Sequence, residues 1–112
     1  MLTIAGNARI FISNTPTCMR QSFEGLSLLV EQLFPGELLS GALFVFLNRS
    51  CNRMKIMLWD SDGFIIFYKR LEKGSFPYQW GKKSSIDRRE FLMLFEGIEP
   101  KKIRSRFAIK KS

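Results

Sequence analysis

Residues 42–70 read ALFVFLNRSCNRMKIMLWDSDGFIIFYKR, and this stretch decides the fold. It holds three apolar runs, 42–47, 53–59 and 64–69, joined by Asn48-Arg49-Ser50-Cys51-Asn52 and by Asp60-Ser61-Asp62-Gly63. Runs of that length bounded by Asn, Asp and Gly are strands. Links this short join antiparallel neighbours, because a parallel crossover needs a dozen residues or more. The first and third runs barely alternate in polarity, so both of their faces are expected to be covered: helices on one side and a partner subunit on the other. The second run alternates in part, with Lys55 among apolar neighbours.

Working outward, residues 8–13 form a short first strand, and Asn14 to Thr17 supply a turn. From Met19 the apolar positions Met19, Phe23, Leu26, Val30 and Leu33 are spaced 4, 3, 4 and 3 apart, which is one face of a helix. Leu29 and Phe34 join that face. Thr15 before Pro16, or Thr17, offers the capping oxygen, and Pro35-Gly36 stops the helix. Gly25 inside it implies close packing, expected against the sheet. Beyond a polar, aromatic-containing stretch at 72–84, Asp87 and Glu90 make a capping box. Ile86 and Phe91 sit at staple positions, and Gly97 ends the second helix. The expectation is an α+β fold, a mainly antiparallel sheet of four or five strands with two helices packed on it. Residues 1–100 form the one domain, and 101–112 a basic tail whose Ile103, Phe107 and Ile109 alternate with charges as an edge strand would.

A chain of 112 residues with 46% apolar content and eleven Phe builds one aromatic-rich core. Its net charge of +8 is uneven. Residues 1–48 carry two basic and three acidic side chains, whereas 49–112 carry sixteen and seven. That asymmetry points a basic surface at a polyanion. Arg20, Arg49, Arg53, Lys55, Lys69 and Arg70 are candidate phosphate ligands around the hairpins. The tail adds Lys101, Lys102, Arg104, Arg106, Lys110 and Lys111. Trp59, Tyr68, Tyr78 and Trp80 are the candidates for stacking on bases. Six tail contacts would give log affinity a slope of roughly −5 against log salt on duplex DNA. The plainer reading makes the aromatics core and the charges a solvated rim.

Other chemistries have little support. With two cysteines and no histidine, the sequence lacks the ligands of a structural zinc site and the usual base for a cysteine nucleophile. Asp60-Ser61-Asp62-Gly63 has the look of paired carboxylates, but the calcium-loop pattern breaks at Phe64, and a hairpin turn accounts for it. No catalytic residue, metal or cofactor is expected. With no signal-like N-terminus and no run of about 20 apolar residues, a cytoplasmic protein with two free thiols is expected.

The stretch Ser40 to Arg49, then Arg53 to Ile56, Trp59 to Phe64, Tyr68 to Gly74 and Phe76-Pro77, resembles the TnpB accessory proteins of insertion-sequence-66-type transposable elements. Met19-Arg20, Gly25-Leu26 and Leu94 to Ile98 extend the likeness over most of the chain. The departures are Cys18, where the family pattern has Asp, Gln21, where it has a basic residue, and Tyr78, where it has Trp. A separate group of RNA-guided nucleases shares the label but is several times longer, and nothing here is similar to it. The resemblance implies a non-catalytic accessory role in transposition beside a larger transposase that holds the strand-transfer carboxylates. Nucleic acid, above all DNA, is the expected partner, and a homodimer through the apolar strand face is compatible with that. The alternative is an interaction module that binds the transposase through an exposed Phe-rich patch without touching DNA.

Overall fold

Seven elements form in the computed structural model, which describes residues 7–81 and 84–97. They are β1 (Ile10–Ile12), α1 (Phe23–Leu33), β2 (Leu43–Leu47), β3 (Arg53–Trp59), β4 (Phe64–Arg70), β5 (Ser85–Ile86) and α2 (Arg88–Glu96). The sheet order is β4-β3-β2-β1-β5. The β2–β3–β4 meander is antiparallel, as short links require, and β5 is antiparallel to β1. β1 runs parallel to β2. The segment between them is long enough to carry α1 over the sheet and bring the chain back in the same direction.

Strand alternation divides the core in two. Ile10, Ile12, Leu43, Val45, Leu47, Met54 and Ile56 point to one face, where they meet Phe76 and the α2 residues Phe91 and Leu94. Phe44, Phe46 and Met57 point to the other, where they meet Leu26, Val30 and Phe34 of α1 and its C-cap, with Phe11 alongside. Rings of Phe11, Phe34 and Phe44 lie within 6.0 Å of one another between centroids. Each face of the sheet is thus covered by one helix of the same chain. The expected partner subunit on a bare face is corrected accordingly: α2 occupies that position.

The start of α1 also differs from expectation. Neither Thr15 nor Thr17 caps it; the N-cap is Ser22, without a side-chain bond. The reason lies upstream. The Ser13 and Thr17 amides donate to Val45 and Leu47, so residues 13–17 run beside β2 instead of turning into a helix. The row Leu26–Val30–Phe34 is buried, while Phe23 and Leu33 stay 47% and 39% exposed. A Cβ on Gly25 would meet the Gln21 side-chain oxygen at 1.6 Å, so the close neighbour is that side chain and not the sheet.

At α2 the reading of the residues holds. The Glu90 amide donates to Asp87 Oδ1 at 2.7 Å, and the Asp87 amide donates to Glu90 Oε1 at 3.1 Å. Ile86 packs on the cluster that contains Phe91, and Gly97 takes the left-handed conformation at φ 76°. The tail 101–112 and its edge strand lie outside the described residues. Among the described residues, no helix is long and apolar enough to cross a membrane.

Candidate nucleic-acid interface

β3 and β4 are paired over their full seven residues, from Arg53 opposite Arg70 to Trp59 opposite Phe64. The hairpin therefore has two chemically opposite ends, about 20 Å apart at strand rise. One end is the Asp60–Gly63 turn, where the Asp60 amide donates to the Gly63 carbonyl at 2.7 Å and both carboxylates belong to exposed residues. It is a hairpin turn, and among the described residues no three His, Cys, Asp or Glu gather as a metal site. At the other end Arg53 and Arg70 stand directly opposite each other. Like charges placed this way destabilise a ladder.

Each arginine has one neutralising or polar contact. Arg70 Nε donates to Glu72 at 3.0 Å, with both side chains exposed, and Arg53 donates to the Tyr68 hydroxyl at 3.3 Å. The 48–52 turn brings Arg49 to the same end. Asn48 shapes that turn: its Oδ1 accepts from the Asn52 and Arg53 amides at 3.0 Å, and its amide nitrogen donates to Asn52 at 2.7 Å. Cys51 takes the left-handed conformation at φ 54° within it. A cleft of about 650 Å³ opens between this turn and residues 16–19, lined by Arg49 and Arg53 and by no acidic residue. Arg20 follows at its border, exposed like Arg49. Neither makes a side-chain hydrogen bond or ion pair among the described residues. Lys73, which sequence reasoning did not single out, is exposed just beyond β4; its signal was its nearness to Arg70 in the chain.

The two lysines among the candidates are employed differently. Lys55 is 8% exposed, and its ammonium donates to the Met19 and Gln21 carbonyls at 2.8 and 2.7 Å. Lys69, on the opposite face, donates to the Phe95 carbonyl at 2.7 Å, with its nitrogen 4.2 Å from the Phe95 ring centroid. One lysine fastens the lead-in to α1 and the other the end of α2, so both ammonium groups are turned to the protein. A cation at the last carbonyls of a helix also suits its dipole.

The stacking candidates separate in the same way. Tyr68 is 49% exposed beside Arg53. Trp59 is half-buried and set edge-on to Phe64 at 5.0 Å. Tyr78 and Trp80 pack edge-to-face at 5.1 Å against the α2-side core. The Tyr78 hydroxyl is buried without a hydrogen-bond partner among the described residues. Burial raises its pKa, with the nearby Cys51 adding to the rise, and burial also pushes the Cys51 thiol up.

The charge surplus is distributed unevenly between the described fold and the rest. Ten basic and nine acidic side chains fall among the described residues. By sequence, eight basic residues and one acidic residue fall in 82–83 and 98–112. The tail cations Lys101, Lys102, Arg104, Arg106, Lys110 and Lys111 all belong to that second group. The described chain ends at Gly97, two residues past the Phe95 carbonyl that Lys69 holds, and so at the arginine end of the hairpin.

The protein family described as IS66 Orf2 like protein matches residues 8–105. The uncharacterized protein y4hO of Sinorhizobium fredii is 35% identical over 101 residues, 88% of each chain. The uncharacterized protein y4jC of the same organism is 30% identical over 93 residues, covering 81% of this chain and 80% of that one. No solved structure matches.

Proposed function

From the premise that this chain belongs to the IS66 Orf2-like family, and so is an accessory protein of transposition, we propose that it acts without catalysis of its own by holding DNA against its arginine end. The observation that carries this is the cross-strand pair Arg53–Arg70, joined by Arg49 and Arg20, which have no side-chain partner among the described residues, around a cleft lined by no carboxylate. Phosphates placed among these guanidiniums would relieve their mutual repulsion and supply the bidentate partners that arginine favours. Tyr68 adds an exposed ring for stacking, and the six tail cations 101–111 add positive charge to the same chain. Contacts of this kind give affinity and position with little sequence choice. Lys55 and Lys69 are left out of the interface because the protein already uses their ammonium groups.

A gel shift of the full chain with element-end and unrelated duplexes over a salt series tests the proposal. Both duplexes are expected to bind at low salt, with a steep salt dependence. No shift of either at low salt refutes it.

A second reading has its own observation. Leu28 is 65% exposed, Leu39 60% and Phe23 47%, all in or near α1, so among the described residues the exposed apolar side chains are mainly leucines and not a Phe-rich patch. They suit docking on the transposase. Capture of the transposase that is lost in Leu28→Ser, with DNA binding unchanged, would assign that contact to α1.

A further inference from the structure

The two edges of the sheet are unequal. β5, on one side, is two residues long. β4, on the other, is seven residues long and among the described residues pairs only with β3. A long edge presents a row of unpaired amides and carbonyls, and proteins usually blunt one with proline, a bulge or charge. β4 has no proline and no residue at positive φ, and its first four residues, Phe64 to Phe67, are apolar and only half-buried. Its charges, Lys69 and Arg70, stand at one end only.

We propose that β4 is the pairing edge for a second copy of this chain, with the two β4 strands antiparallel about a two-fold axis. This inference goes beyond the DNA-binding proposal and does not depend on it. The charges select the occupant. In an antiparallel pair the Asp60–Asp62 turn of one copy comes beside the partner's basic end, where Arg70 is matched by Glu72 but Arg53 and Lys73 have no carboxylate among the described residues. The same contact forms twice by symmetry, as an isologous interface requires. The chain's own residues 101–112 are a poorer occupant, because they carry six cations and no carboxylate side chain, so they offer no counter-charge to Lys69 and Arg70 of the edge. The product is one continuous ten-stranded sheet made from two five-stranded ones. Both α1 helices then lie on one side of it, and the two arginine ends flank the axis.

Light scattering over a concentration series, paired with hydrogen exchange of residues 64–70 in the full chain, tests the assignment. The expected result is a mass that rises to the dimer, with β4 amides gaining protection in step. Asp60→Lys/Asp62→Lys changes only exposed turn side chains and should weaken dimerisation by about tenfold. Three results overturn the proposal. One is a monomer at every concentration with exchanging β4 amides. Another is a monomer whose β4 amides are protected throughout, which gives the edge to the chain's own C-terminal segment. The third is a dimer whose β4 exchange does not change, which puts the contact elsewhere.

Discussion

Lys55 and Tyr68 are direct partners across the β3–β4 ladder, and the lysine nitrogen stands 4.9 Å from the centre of the tyrosine ring. The ring covers the ammonium on one side while two carbonyls take its protons on the other. This is how a cation is kept almost fully buried without a carboxylate: two of its three N–H groups find carbonyl oxygens, and the ring face supplies further negative potential. Lys55→Met should therefore cost about 2 kcal/mol or more, since it orphans two carbonyls in a protected place. Urea unfolding measures the loss. The salt slope of duplex binding should not change.

The opposite pattern is expected at Arg49. The side chain is exposed and makes no bond among the described residues, so Arg49→Ala should leave the unfolding midpoint where it is. It should lower the salt slope of duplex binding by about one unit. A shift in midpoint with no change in slope would return Arg49 to a structural role.

Tyr78→Phe removes a buried hydroxyl that has no partner among the described residues. The variant should be at least as stable as the parent at neutral pH, by up to about 1 kcal/mol. Alkali adds a second readout. The raised pKa values of Tyr78 and Cys51 keep both groups protonated in the fold after the unfolded chain has begun to lose those protons. The unfolded state then binds fewer protons, and stability falls as pH climbs past the ordinary thiol range, about 8.5. Tyr78→Phe should make that fall shallower, and an unchanged slope in thermal melts would count against it.

The helices allow a paired test of caps and propensity. Asp87→Ala removes one half of the capping box and should cost about 1 kcal/mol. Gly25→Ala should stabilise by up to about 1 kcal/mol. Its new methyl would overlap the movable end of the Gln21 side chain, with the Gln21 Cβ at an ordinary 3.4 Å, so a loss of stability there would mean that Gln21 cannot swing aside.

The hairpins and α2 were legible because their signals are local. Asp60 to Gly63 makes a turn by its own chemistry, and Asp87 with Glu90 closes a box within one helical turn. The start of α1 was not legible, because Thr17 has a capping hydroxyl but spends its amide on Leu47, a partner 30 positions away that only the parallel register supplies. Among the site residues, Arg49, Arg53 and Arg70 converge as their hairpin positions implied. Lys55 does not join them, and the sequence did carry a hint. It shares a strand face with Met57 and Trp59, so alternation turned it toward α1 and not toward solvent. Nothing local tells that carbonyls of residues 19 and 21 wait there.

The placement of β1 between β2 and β5 has a bearing on the order in which the molecule assembles. The β2–β3–β4 meander closes only short loops, whereas β1 must find β2 across the whole α1 segment and β5 must reach back some 75 positions to β1. Loop-closure entropy favours the meander as the nucleus. Met57→Ala should therefore slow refolding, while Ile86→Ala should mainly speed unfolding, and stopped-flow chevrons would show the reverse if β1 and β5 came first. During synthesis, β1 leaves the ribosome ahead of every strand it pairs with and waits for a template made from later sequence.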